Sequence, residues 1–283
     1  MLILLPRFIT ALIGVPLILF LTYLGGLPFF LLICGIIFLC LWEYYTLFEE
    51  RGYKVNKWFN IILCMLLAST AYVGELQVLS SAARFSVLPS VIFSFILLGN
   101  IVVAMLSAAN RTIEQSYLQL LINVWGVVYI CFLLLHIVSV RNLMPYGRNL
   151  TFLLFITTWI ADTVAYAVGE KYGKFRITPY ISPKKSLEGG IGCIIAVFLV
   201  VLVFKYFVLK FITWVDYCVI SVILCFGIIF GDLGESFLKR YLGVKDTSPL
   251  LPGHGGVLDR FDNYTFSAPL LYYYIKLVLT PVK

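Results

Sequence analysis

Nine apolar runs, broken by short polar segments, set the rhythm of this chain. They cover residues 8–24, 28–48, 58–74, 87–109, 118–140, 150–168, 190–212, 214–238 and 263–280. A helix rises 1.5 Å per residue, so about 20 apolar residues cross the roughly 30 Å hydrocarbon layer of a bilayer. Inside that layer a lone segment can satisfy its backbone N–H and C=O groups only by coiling into a helix. The pattern therefore predicts an all-α fold, a polytopic integral membrane helical bundle of about nine transmembrane helices. The third and last runs are short for this role. Gly25-Gly26-Leu27-Pro28 reads as the first turn. Arg7 precedes the first run and no small-residue cleavage site follows it, so the first span is expected to stay uncleaved.

Composition agrees with the pattern. The chain is 61% hydrophobic and 12% charged with a mean hydropathy of +1.00, outside the range of soluble domains. The formal charge of +7 follows from the excess of Lys and Arg that cytoplasmic loops of membrane proteins carry. No aromatic-basic module supports nucleic-acid binding. Seven cysteines sit in apolar surroundings without a C-x-x-C pair and read as packing residues, as does the lone His136. With nine spans, 14 of the 21 Lys and Arg residues share the side of the N-terminus. That bias places the N-terminus and the long polar loops in the cytoplasm and Lys283 outside. The chain divides into an N-terminal membrane region, 1–149, of about five helices and a C-terminal region, 150–283, that carries two polar loops, 169–190 and 241–262.

These loops and their flanking helices hold the candidate chemistry. Asp232, Glu235, Ser236, Lys239 and Arg240 stand at i, i+3, i+4, i+7 and i+8, on one helical face. The stripe runs from acid within the apolar run to base at its end, a pattern suited to a metal ion at depth and polyphosphate above it. Asp162, Tyr166 and Glu170 form a smaller echo on another span. In loop 169–190, Gly169, Gly173, Pro179 and Pro183 are expected to prevent a regular helix and leave backbone N–H groups free to face an anion. Pro252-Gly253-His254-Gly255-Gly256 offers the same freedom in the second loop. A salt-bridge network that only joins helices is the bland alternative, and an ion-coupled transporter is the rival from another class. The chain lacks the paired half-helices a transporter would show.

From Ser236 to Asp262 the sequence resembles the phosphatidate cytidylyltransferase (CDP-diacylglycerol synthase) family. The match comprises Ser236, Lys239-Arg240, Lys245-Asp246, Ser248, Leu251-Pro252, His254-Gly255-Gly256, Asp259-Arg260 and Asp262 in the family's spacing. It extends upstream through Asp162-Thr163, Ala165-Tyr166, Gly169, Gly173-Lys174, Ser182-Pro183-Lys184-Lys185 and Glu188-Gly189, while Ser186-Leu187, Val164 and Pro249 depart from it. The resemblance implies transfer of CMP from CTP to phosphatidate, giving CDP-diacylglycerol and pyrophosphate, in a polar cavity open to the cytoplasm. It implies Mg²⁺, with a second cation left open, on Asp232 and Asp259, and Asp246 and Asp262 as second choices. Lys239, Arg240, Lys245 and Arg260, with Lys184 and Lys185, would neutralise phosphates. His254 would donate to departing pyrophosphate or orient its loop, Asp246 would belong to the catalytic group, and Ser182, Ser236, Gly255 and Gly256 would contact substrate. CTP, phosphatidate and the bilayer of the inner (cytoplasmic) membrane are the implied partners, and a homodimer is what the family suggests. A CTP-dependent transferase or kinase acting on another lipid acceptor is the nearest alternative within enzymes.

Overall fold

A computed structural model describes residues 4–77, 88–251, 253 and 255–279. Its helices are α1 (Leu4–Leu24), α2 (Gly26–Glu50), α3 (Lys57–Gln77), α4 (Leu88–Ser107), α5 (Ile113–Trp125), α6 (Leu133–Asn142), α7 (Gly147–Tyr172), α8 (Leu187–Phe207), α9 (Trp214–Tyr241) and α10 (Leu258–Tyr274). A π-helical segment, Gly126–Phe132, joins α5 to α6, and a second, Ile275–Leu279, follows α10. Each predicted apolar run overlaps a helix. Six helices among the described residues are long and apolar enough to cross a membrane: Gly26–Glu50, Pro89–Ser107, Ile113–Asn142, Gly147–Tyr172, Leu187–Phe207 and Trp214–Tyr241. Leu12–Leu24 and Lys57–Thr70 are apolar but shorter.

Two expectations about the polar loops need correction. Gly169 does not end a helix, because α7 continues through it to Tyr172 before the chain turns. The following residues form an antiparallel hairpin, β1 (Arg176–Thr178) and β2 (Ser182–Ser186), the one sheet among the described residues of an otherwise helical chain. Its flanking N–H groups are engaged rather than open to an anion: Leu187 donates to Phe175 O at 2.8 Å and Phe175 to the Glu188 carboxylate at 3.3 Å. In the second loop, α10 begins at Leu258, so Asp259, Arg260 and Asp262 are helical rather than part of the loop.

The core is shared among helices rather than enclosed by one half of the chain. Ile33, Ile37 and Leu41 of α2, Leu134 and Ile137 of α6, Leu150 and Leu154 of α7, and Ala268 and Leu271 of α10 are fully buried in one cluster. Large apolar side chains such as Phe95, Met105, Leu199, Val203 and Phe226 point outward, as a surface bathed in lipid requires. His136 is a satisfied packing residue, its Nδ1 at 2.9 Å from Phe132 O and its Nε2 at 3.2 Å from the Tyr273 hydroxyl.

The π-helical segment has a visible cause. Tyr44 and Tyr45 of α2 donate to the carbonyls of Ile122 and Asn123, each at 3.0 Å. Those carbonyls end α5, and side chains inserted into a helical ladder are a known source of such distortion. Gly126 makes the approach feasible, since a Cβ there would lie 2.6 Å from the Tyr45 hydroxyl. Downstream, Tyr129 then donates to Gly231 O of α9, at 3.4 Å, one residue before Asp232.

Candidate active site

The α9 and α10 helices pack closely enough to bring their acids together. Gly231 permits this, because a Cβ at that position would lie 2.6 Å from the Cα of Asn263 on α10. As a result Asp232 and Glu235 of α9 meet Asp262 of α10, with ligand oxygens all within 4.8 Å of one another. Glu235 and Asp262 are buried, whereas Asp232 has 42% of its side chain exposed and so faces the open side of the cluster. Three carboxylates this close repel one another. Two lysines offset that repulsion: Lys185 of β2 stands 2.7 Å from Asp232, and Lys239 stands 2.6 Å from Glu235. Asp162 of α7 adjoins the group through Asn263, whose amide donates to both its oxygens at 3.0 and 2.8 Å.

Asp259 shares Lys239 with Glu235. It is not among the three clustered acids, and its oxygens are already engaged. Oδ1 accepts from Lys239 at 2.8 Å, and Oδ2 accepts from Gly256 N at 2.7 Å, Thr247 N at 3.0 Å and Thr247 Oγ1 at 3.1 Å. Lys239, expected on phosphate, is likewise bound between Glu235 and Asp259.

The remaining candidates spread across three elements that meet at the C-terminal end of α9. Arg240 donates to Ile181 O at 3.0 Å and so ties the hairpin to α9. Ser236 is buried, 3.4 Å from Asp232. Lys184 is exposed on the hairpin and Ser182 is half-buried. Lys245 and Asp246 are exposed on the loop before α10, and Arg260 is exposed on the first turn of that helix. Gly255 adopts φ +81°, and its carbonyl accepts from Leu251 N at 2.9 Å to close the turn. Gly256 is buried where a side chain would collide with Thr247 and with the Glu43 carboxylate. Pro252 and His254 lie outside the described residues.

Two participants escaped the sequence reading. Asn263 holds Asp162, and Glu43 of α2 accepts from Ser248 Oγ at 2.6 Å, Val257 N at 2.8 Å, Leu258 N at 2.9 Å and Thr247 Oγ1 at 3.2 Å. An acid within the apolar run 28–48 was a signal in itself, since an ionisable group at that depth is costly unless it serves something.

Hard carboxylate oxygens grouped at this distance fit a divalent cation such as Mg²⁺. Lys185 of the hairpin stands at Asp232, the exposed member of the cluster, so an anion bound there would face fixed positive charge.

The sequence model of the cytidylyltransferase family matches residues 5–278. A phosphatidate cytidylyltransferase of Bacillus subtilis (strain 168) is 30% identical over 271 residues, which cover 96% of this chain and 97% of that protein. Phosphatidate cytidylyltransferases of Staphylococcus epidermidis and Staphylococcus aureus are 45% and 43% identical over 126 residues, covering 44% of this chain and 48% of each relative. With a match that runs almost from end to end, the chain belongs to the cytidylyltransferase family.

Proposed function

We propose that this chain is a CTP:phosphatidate cytidylyltransferase, which transfers CMP from CTP to phosphatidate and releases CDP-diacylglycerol and pyrophosphate. The observation that carries the reading is the meeting of three carboxylates on α9 and α10 with Lys185 of the hairpin and Lys239 of α9, in a chain of this family. Attack of a phosphatidate oxygen on the α-phosphorus of CTP joins two anions, so charge neutralisation and alignment matter more than a covalent nucleophile. Asp232, Glu235 and Asp262 would hold Mg²⁺, which when bound supplies charge compensation to the phosphate oxygens. Asp259, instead of a ligand role, orders the loop through its three hydrogen bonds from Thr247 and Gly256. Lys184, Lys245, Arg240 and Arg260 would bind the phosphates of CTP and the lipid headgroup, Arg by its bidentate fork and Lys as a point charge. Lys185, 2.7 Å away, holds Asp232 in place.

The same reading includes about nine spans, with α1, α3 and α10 completing the six long helices, a cytoplasmic N-terminus and a site open to the cytoplasm. The acyl chains of the acceptor then stay in the bilayer of the cell membrane while its headgroup meets CTP from water. Dimerisation belongs to the proposal on the family resemblance alone.

The test is conversion of labelled CTP to organic-soluble CDP-lipid by the purified protein in detergent. Product is expected only with phosphatidate and Mg²⁺ both present. Product with a polyprenol acceptor but not with phosphatidate would replace this reading with transfer to another lipid.

A further inference from the structure

We infer that Glu43 is a positioning residue for the transfer reaction, an acid on the second helix that fixes the loop and helix start on which Lys245, Asp246, Asp259 and Asp262 are mounted. The inference rests on the transferase reading above. Glu43 is 3% exposed in a run that is otherwise apolar. A buried carboxylate persists there only when its charge is met by donors. Its four donors all come from one short stretch more than 200 residues away: the hydroxyls of Thr247 and Ser248 and the backbone N–H groups of Val257 and Leu258.

The location of these donors gives the contact its meaning. Helix α10 has no side-chain cap at its own N-cap, Val257, yet the first N–H groups of a helix need acceptors and favour negative charge. Glu43 supplies both from another helix, and it grips the two ends of the loop at once. Ser248 and Thr247 lie just after Lys245-Asp246, and Val257-Leu258 lie just before Asp259. Thr247 Oγ1 stands 3.2 Å from Glu43 and 3.1 Å from Asp259, so one hydroxyl joins the two carboxylates that clamp the loop. Gly256 follows from the same clamp, because a side chain would occupy the space where Thr247 and Glu43 approach it. The first turn of α10 sets where Asp262 stands relative to Asp232 and Glu235. Glu43 itself lies outside that cluster and acts only through the loop.

Two variants and two readouts test this. Glu43→Gln keeps the volume but turns an NH₂ toward groups that are themselves donors. Its expected kcat is lower by about 100-fold, the scale of a small misplacement of reacting groups, with the KM for CTP raised by no more than about tenfold, because Lys245 rides on the loop while Lys184 and Arg240 do not. Hydrogen exchange of the amides from 247 to 258 should accelerate at least about tenfold while amides of α7 and α8 stay as in the parent chain. The double variant Thr247→Val, Ser248→Ala removes only the hydroxyl partners. It should raise exchange in the same segment and lower kcat by about tenfold, and it decides the matter if Glu43→Gln does not fold. Parent-like turnover in Glu43→Gln, or lost turnover with unchanged exchange at 247–258, would overturn the inference. If the parent chain itself makes no CDP-lipid, the transferase reading fails, whereas the exchange data still decide whether Glu43 holds the loop.

Discussion

At the scale of residues, the site is a problem of like charges held together. Asp232, Glu235 and Asp262 share a small volume, and each approach of one carboxylate to another costs free energy unless a cation intervenes. Lys185 and Lys239 meet that need in the protein, and a divalent ion would add to it. Asp232→Asn should therefore abolish turnover, by about 1,000-fold or more if its oxygen contacts the ion, while the protein still inserts and purifies intact. Ser236→Ala makes a useful contrast, because its hydroxyl reaches Asp232 only at 3.4 Å; turnover is expected to fall by less than about fivefold. Equal losses in both variants, measured as kcat in the labelled-CTP assay, would contradict these roles. The acids and bases of this site were legible because charge stands out against an apolar sequence. Which acid does what was not legible. Asp259 and Asp262 are neighbours on the same stretch, and only the donors around Asp259 distinguish its surroundings from those of the clustered acids.

Among the elements, the close contact of α9 and α10 governs the geometry. Gly231 faces Asn263 at a distance no larger side chain tolerates. Gly231→Val should force the helices apart, at a cost of about 1–3 kcal/mol from overpacking. The expected result is a lowered unfolding temperature in detergent together with loss of turnover; parent-like values for both would show that the site does not depend on this contact. The hairpin is attached to α9 through Lys185 and Arg240, so it carries its cations to the cluster as a unit. Helix existence was readable from run length, since lipid leaves the backbone few options. The start of α10 was not, because Asp259-Arg260-Phe261-Asp262 has the hydropathy of a loop, and its cap comes from Glu43 on a distant helix. The hairpin was missed for a related reason. Gly and Pro announced a turn, but the pairing of Arg176 with Ser186 and of Thr178 with Ser182 depends on helices α7 and α8 presenting the two strands side by side.

For the molecule as a whole, a site at the membrane boundary, as proposed above, would explain why a phosphoryl-transfer centre sits in a bundle of apolar helices. A lipid headgroup and a soluble nucleotide can meet only where the two phases meet. Topology makes this testable with introduced thiols, after the exposed Cys218 and the half-buried Cys34 are changed to Ser. Lys174→Cys, between α7 and the hairpin, should react with a membrane-impermeant reagent only when the cytoplasmic face is opened, and Lys210→Cys, between α8 and α9, from the outer face of sealed vesicles. The reverse pattern would invert the orientation proposed above. The most direct test of the account concerns its centre: binding of Mn²⁺, displaceable by Mg²⁺ and followed by electron paramagnetic resonance in the presence of CTP. Asp232→Asn and Asp262→Asn are expected to weaken that binding by at least about tenfold, and Asp259→Asn by less than about threefold although it disturbs the loop. Loss of binding in Asp259→Asn with binding retained in Asp262→Asn would contradict the assignment of the metal centre to Asp232, Glu235 and Asp262.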